Sequence, residues 1–473
     1  MLKRCWWILL AVGCGGTPAD PSASSVASAT TVLSASASAS SASSKPTSSA
    51  ATGAAAPGLD ETATRGRAFV ELLVAKKFEE ATAQFDPTMK SSLSTELLQK
   101  TWEGMSTAAG PFDRIVGARA EAAGAYRMAL VTCLFGTNKL DAKIAFDGEG
   151  KVAGLFFVPS TEPYADPSYA DRSRFTEREV TVGSGEWALP GTLSVPNGAG
   201  PHRAVVLVHG SGPNDRDESG GANKPFKDLA GGLASKGIAV LRYEKRTKVH
   251  GAKFPSEATV MEETVEDAIL AVELLAKTEG MDPKRIAVVG HSLGGHLAPR
   301  IGARSKSIAG IAVLAGNTRS IPNAMLDQVK YISDLDGRRG PEEDVEIAKL
   351  TKEVERAREL VKPGNTKSEV VLGVHATYWR DLAAYDPIAT AKSFGRPIFI
   401  AQGLRDYQVT KVDFEVWNKG LAGKSNVTFK TYPSANHLFG AGEGPSAPEE
   451  YQRRAEVVPA LVEDLALWVG KLP

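Results

Sequence analysis

From about residue 60 the apolar positions along the chain keep two successive rhythms. Between 64 and 84 they recur at helical spacing (Phe69, Leu72, Leu73, Phe78, with Phe85 beyond), and 95–105 reads as a second helix. Apolar and polar residues then alternate through 114–120, 126–135, 138–146 and 151–157, with Gly124, Gly136 and Asp147-Gly-Glu-Gly150 as turns. Helices followed by a strand meander predict a small α+β domain over 60–158. From residue 175 the rhythm changes. Strand-like runs fall at 178–182, 188–195, 204–208, 238–243, 285–289, 308–314, 397–402 and 427–432. Helical stretches at 226–235, 260–277, 295–303, 412–421 and 449–469 separate most of the later ones. Two early strands followed by repeated strand–helix alternation predict an α/β domain over 175–473, with about eight mostly parallel strands. In such sheets the reactive loops gather at the carboxyl ends of the strands.

Residues 317–395 interrupt the alternation between the sixth and seventh strands. They hold a charged helical run at 342–361 and an aromatic segment at 378–385. The charges fit a solvated helix face. Tyr378 and Trp379 fit a pocket wall or core packing equally well.

The other end of the chain has no such periodicity. Residues 15–58 are mostly Ser, Ala, Thr, Pro and Gly, with too little apolar bulk to offset chain entropy, so a disordered linker is expected. Residues 1–14 combine a basic start, a short apolar run and small residues, as a secretory signal does. Ala11-Val12-Gly13-Cys14 resembles a bacterial lipoprotein signal, which makes Cys14 the candidate lipidation site. An ordinary cleaved signal and an uncleaved anchor are the alternatives. The expected location is outside the cytoplasm, on a lipid anchor in the cell envelope, otherwise periplasmic or secreted.

Composition narrows the classes. The 473 residues carry 55 basic and 55 acidic side chains, so no net field favours nucleic acid. Three cysteines cannot make a disulfide framework, and Cys133 reads as a buried thiol. No metal-ligand spacing, phosphate loop or dinucleotide fingerprint is present, so neither a metal nor a cofactor is expected. Nothing in the sequence fixes the oligomeric state.

The candidate chemistry starts at Gly290-His291-Ser292-Leu293-Gly294, between the strand-like Arg285-Ile-Ala-Val-Val289 and a helix-compatible stretch. A serine on such a corner has its hydroxyl pushed out above the sheet, and the flanking Gly290 and Gly294 leave room for the turn. Chance alone supplies the five-residue pattern in roughly one chain in three of this composition, so context has to carry it. A serine hydroxyl needs a base, and the base an orienting acid, which on this architecture follow in the order serine, carboxylate, histidine. Only His296, His375 and His437 follow Ser292. His296 lies one helical turn on and His375 in the interrupting region, whereas His437 follows the last strand. Asp406 ends the seventh strand; Asp381, Asp386 and Asp413 have helical or loop contexts more often solvated or capping. Ser292, Asp406 and His437 are therefore the candidate triad. An oxyanion hole needs two backbone N–H groups. Leu293 and Ser211 are the candidates, with Gly210 allowing close approach and His209 bracing the loop.

Five strings then combine: His209-Gly-Ser-Gly-Pro-Asn-Asp-Arg-Asp-Glu218, Leu241-Arg-Tyr-Glu-Lys-Arg246, the 290–294 corner, 378–387 and Gly403-Leu-Arg-Asp-Tyr-Gln-Val409. Together they resemble a bacterial esterase group of the α/β-hydrolase superfamily, close to its serine-aminopeptidase and dienelactone-hydrolase branches. Glu244 departs from the aspartate usual in the second string. The resemblance implies an α/β-hydrolase fold with 317–395 as a helical cap insertion. Residues 60–158 resemble the small uncharacterised domain found ahead of some such enzymes, for which a structural or docking role is expected. The implied activity is hydrolysis of small carboxylic esters through an acyl-serine. A serine aminopeptidase or amidase acting on aminoacyl substrates is the rival, and a non-catalytic binding lipoprotein the remaining alternative. The acidic residues of 214–218 bear on that choice: they either bind a substrate amine or form a solvated loop.

Overall fold

A computed structural model describes residues 59–123, 126–161 and 163–473. The expected signal, linker and Cys14 lie outside the described residues. Two compact units divide after Thr161.

The small unit runs α1 (Leu59–Val74), α2 (Phe78–Ala83), α3 (Pro87–Ser92), α4 (Thr95–Ala109), then β1 (Phe112–Ala123), β2 (Tyr126–Phe135), β3 (Asn138–Phe146) and β4 (Val152–Pro159). The strands pair antiparallel in sequence order. The single helix expected over 64–84 is two, broken where Lys76 takes φ +58°. Helix α3 was not foreseen. Its start is written locally, since Asp86 accepts the Met89 N–H at 2.6 Å and Pro87 fills the first turn. Phe69, Val70 and Leu73 of α1 pack with Val131, Cys133, Ile144 and Trp102 in one core. Burial, with the nearby Asp141, pushes the Cys133 thiol up to about 12.

The large unit runs β5 (Phe175–Val182), β6 (Leu189–Pro196), β7 (His202–Val208), α5 (Pro225–Ser235), β8 (Ala239–Tyr243), α6 (Arg246–His250), α7 (Glu266–Lys277), β9 (Met281–His291), α8 (Leu293–Arg304) and β10 (Ile308–Leu314). The insertion follows as α9 (Ile321–Asp334), α10 (Pro341–Leu360), the hairpin β11 (Val370–Val371) and β12 (Val374–His375), α11 (Ala376–Ala383) and α12 (Pro387–Phe394). The chain closes with β13 (Ile398–Gly403), α13 (Lys411–Gly420), β14 (Val427–Tyr432) and α14 (Pro459–Gly470). The eight-stranded sheet has the order β14-β13-β10-β9-β7-β8-β6-β5, and only β5 and β6 pair antiparallel with their neighbours.

The sheet divides two cores. Val206, Val208 and Val288 face α7 and α8, while Val205, Leu207 and Val289 face α5 and α14. A sheet buried on both faces explains why β10 is apolar and buried at every position.

Three boundaries differ from the sequence reading. The unit reaches back before residue 175, because Tyr164 donates to Asp228 and Tyr169 to the Val457 carbonyl. The helix expected over 449–469 is a 3-10 turn at Pro448–Gln452 and then α14, since Pro459 cannot continue a preceding helix and keeps Val458 out of the helical conformation. The stretch 260–277 opens with a π-helical turn, Met261–Val265, before α7 begins.

Candidate functional site

Ser292 sits between β9 and α8 with φ +54° and ψ −117°, a conformation L-residues avoid. The turn is held by the Ser292 N–H donating to the Leu314 carbonyl at 2.9 Å. A methyl group at Gly290 would lie 2.1 Å from the Gly294 carbonyl oxygen, and one at Gly294 would lie 2.3 Å from that of Val208. Neither position accepts a β-carbon without moving backbone. Leu293 opens α8, where backbone N–H groups have no partner within the helix.

Asp406 and His437 follow β13 and β14, so both stand at carboxyl ends of strands. His437 Nδ1 lies 2.7 Å from Asp406 Oδ2, and both residues are buried. The other Asp406 oxygen accepts the N–H groups of Gln408 and Val409 at 2.8 and 3.0 Å. Gln402, which the sequence reading did not single out, donates to Asp406 Oδ2 at 3.2 Å and to the Val409 carbonyl at 2.7 Å. Asn436 tightens the histidine loop, its side-chain oxygen accepting from the N–H groups of Leu438 and Gly440.

The other histidines have separate tasks. His296 is buried against Tyr385, with Nδ1 2.8 Å from the Asn317 carbonyl, and burial pushes its pKa down to about 4. His209 packs between Phe226 and Tyr243 and is likewise pushed down to about 4 by burial. Neutral, enclosed rings of this kind brace the loops around them. His375 caps α11. Among the rival acids, Asp381 pairs with Arg300 and Asp386 caps α12. Asp413 is not solvated: it is fully buried and gathers Thr318, Arg319 and Thr410 at the root of the insertion.

The loop after β7 is gripped at Gly210, where a methyl group would sit 3.0 Å from Ser292 Cβ. Glu218 accepts the Gly210 N–H at 2.6 Å, and the buried Lys245 ammonium donates to the Gly210 carbonyl at 2.8 Å. Asn214 donates to the Ser211 carbonyl at 3.0 Å. Lys245 also pairs at 2.9 Å with Glu263 in the π-helical turn, and Glu263 accepts the Tyr378 hydroxyl at 2.7 Å. Tyr378 is thus a core residue wired to this loop, and Trp379 is fixed by its indole N–H on the Val371 carbonyl at 2.9 Å. A second tie joins the insertion to the acid loop, where Tyr331 stacks on Tyr407 with ring centroids 5.0 Å apart.

The acidic run 214–218 is tied into the protein by internal partners rather than forming a free loop. Asp215 accepts the N–H groups of Asp217 and Ser219, and Asp217 pairs with Arg242 and Lys224. Arg216 joins Glu179 and Glu244, each at 2.7 Å, so glutamate at 244 closes an ion pair rather than loosening the turn. Among the described residues no group of three or more metal-ligating side chains occurs, and no helix is long and apolar enough to cross a membrane.

Residues 67–155 match the family described as a protein of unknown function, DUF3887, and residues 193–416 match the BD-FAE family. Esterase EstD of Thermotoga maritima is 40% identical over 404 residues, which make up 85% of this chain and 94% of EstD. Among solved structures, Est1E from Butyrivibrio proteoclasticus covers 62% of this chain and 99% of its own at 15% identity, with a TM-score of 0.41. The acylaminoacyl peptidase of Pyrococcus horikoshii covers 76% of this chain and 51% of its own at 15% identity, with a TM-score of 0.42. On its identity to EstD across nearly the whole of that protein, the chain belongs to the same family of the α/β-hydrolase superfamily, with a DUF3887 domain ahead of the hydrolase unit.

Proposed function

We propose that this protein is a serine hydrolase of the carboxylesterase type, with Ser292 as nucleophile, His437 as general base and Asp406 as the group that orients it. The observation that carries this reading is the buried 2.7 Å contact of His437 Nδ1 with Asp406, on loops that end neighbouring strands of the sheet bearing Ser292. His437 takes the proton of Ser292 Oγ as that oxygen bonds to the ester carbonyl carbon. The carbonyl electrons move onto oxygen, which the N–H groups of Ser211 and Leu293 receive. Collapse of this intermediate breaks the bond to the leaving oxygen, and His437 protonates the alcohol. Water then attacks the acyl-serine with His437 again accepting the proton, which returns to Ser292 as the carboxylic acid departs. No step calls for a cofactor.

Esters are favoured over aminoacyl amides because the nearest acidic side chains are already engaged. Asp217 and Glu218 are buried in internal pairs, which leaves neither free to hold a substrate ammonium. EstD carries the word esterase in its name. The test is labelling by a fluorophosphonate probe alongside turnover of short acyl esters and aminoacyl amides. Wild type is expected to label at Ser292 and to prefer esters, and Ser292→Ala to do neither. Full ester turnover by Ser292→Ala ends the proposal, and preference for aminoacyl amides transfers it to the peptidase rival.

A further inference from the structure

Glu218 and His291 occupy the space where the candidate nucleophile, base and oxyanion loop meet, yet the mechanism above uses neither. Glu218 takes φ +51°, an unfavourable conformation for a side chain of its size, and is 6% exposed. One of its oxygens holds the Gly210 N–H. The other lies 2.9 Å from His291 Nδ1, an ion-pair contact not aligned as a hydrogen bond, and neither atom has a hydrogen-bond partner among the described residues. His291 precedes Ser292, and its Nε2 lies 2.9 Å from the backbone carbonyl of His437, with the two rings 4.7 Å apart.

The protons on this pair follow from the acceptors around it. A carbonyl oxygen can only accept, so His291 Nε2 must carry a hydrogen. A bare Nδ1 lone pair beside a carboxylate would leave two buried acceptors against each other, which is strongly unfavourable. A proton carried by one of these two groups relieves that contact. The N–H of Gly210 already stabilises the carboxylate, which leaves that proton on the imidazole.

Resting on the serine-hydrolase reading above, we infer that Glu218 and His291 form a buried carboxylate–imidazolium positioning pair, which ties the Gly210 loop, the Ser292 turn and the His437 loop into one unit. Being neutral overall, the pair adds no net charge beside a base that must itself become cationic during turnover.

The surroundings agree. Burial by itself would lower the His291 pKa, but the Glu218 carboxylate outweighs it and holds the ring above its ordinary value; Glu218 is held below its own, chiefly by His291 against the effect of burial. The other groups facing the pair are Asp406 and His437 from the loops after β13 and β14 and the neutral His209 after β7, while Lys245, which holds the Gly210 carbonyl, is paired with Glu263. A base whose folded pKa is raised contributes stability below its ordinary value near 6.5 and loses it as pH climbs through the raised value. The pair therefore weakens on the alkaline side.

The experiment compares wild type, Glu218→Gln and Glu218→Ala for kcat, KM and pH profile, with nitrogen NMR of histidine-labelled protein. Glutamine can accept from Gly210 and donate to a neutral His291, so Glu218→Gln should lose about tenfold in kcat and shift its alkaline limb. Glu218→Ala should lose a hundredfold or more in kcat with KM changed less than about threefold. In NMR, both His291 nitrogens should carry hydrogens at pH 7 in wild type and only one in Glu218→Gln. A neutral His291 in wild type, or a Glu218→Gln variant matching wild type in profile and spectrum, overturns the inference. Should Glu218→Ala fail to fold, those two measurements still decide. Absent fluorophosphonate labelling in wild type would instead sink the hydrolase reading, while the NMR result judges the pair without reference to activity.

Discussion

In the small unit, α1 packs on an antiparallel sheet over a core of Phe69, Leu73, Val131, Ile144 and Trp102, and among its described residues Thr62 and Asp141 are the polar side chains buried. In the large unit the buried set includes Glu218, Lys245, Glu263, His291, Asp406, Asp413 and His437, most of them around the carboxyl ends of β7, β9, β13 and β14. All seven histidines of the chain lie at or after residue 202. Burying charge costs free energy unless each charge is paired and hydrogen-bonded, so a unit that buries so many is organised around something other than stability. The contrast agrees with the proposed site at those strand ends, whereas the small unit's buried acid, Asp141, is held by Thr132 and Arg119.

The strongest way to break that contrast is Asp406→Asn. The fold should persist while kcat falls by about 10⁴-fold, because an amide cannot hold the His437 tautomer or stabilise the imidazolium. Ester turnover within tenfold of wild type would show that this buried pair is only structural.

Acid should separate the two units. His209 and His296 are held at about 4 in the folded protein against 6.5 ordinarily, so the unfolded chain binds more protons between those values. Stability of the large unit is then lost as pH falls through that window, by up to about 3 kcal/mol for each ring. The small unit contains no histidine. Hydrogen exchange followed by mass spectrometry at stepped pH, corrected for intrinsic rates, should show peptides of 202–472 losing protection first. Earlier loss in peptides of 59–161 would contradict the comparison.

Tyr378→Phe is the mildest probe. It removes one hydroxyl from Glu263 and so relaxes the line running through Lys245 to Gly210, at a cost of about 1 kcal/mol and roughly fivefold in kcat. An unchanged kcat would mean that the insertion packs against the oxyanion loop without helping to set it.

Strong local signals decided how well the sequence could be read. Every strand of the large sheet falls within a few residues of a strand-like run; the central β7, β10 and β13 carry apolar runs because both their faces are buried, whereas the edge strands β5 and β14 are largely exposed and more polar. Helix ends were harder. Lys76 and Pro459 interrupt stretches whose apolar spacing continues past them, and backbone geometry overrules spacing there. At the site, Ser292, Asp406 and His437 were found by order along the chain and by position at strand ends. Gln402 carried no such signal, since an amide at a strand end has no chemistry of its own to advertise.

By itself, then, the sequence determined the order of the sheet strands, the two-unit division and the three residues of the candidate triad, because each depends on local periodicity or on which strand a residue follows. Only the tertiary structure decided what the intervening charges do. Asp217 and Glu218 lie one residue apart and read alike, yet one pairs with Arg242 and the other joins Gly210 to His291. Tyr378 could have lined a pocket until its hydroxyl was placed on Glu263. Partners such as these lie from eight to 115 residues apart along the chain, and a buried charge takes its role from its partner in space.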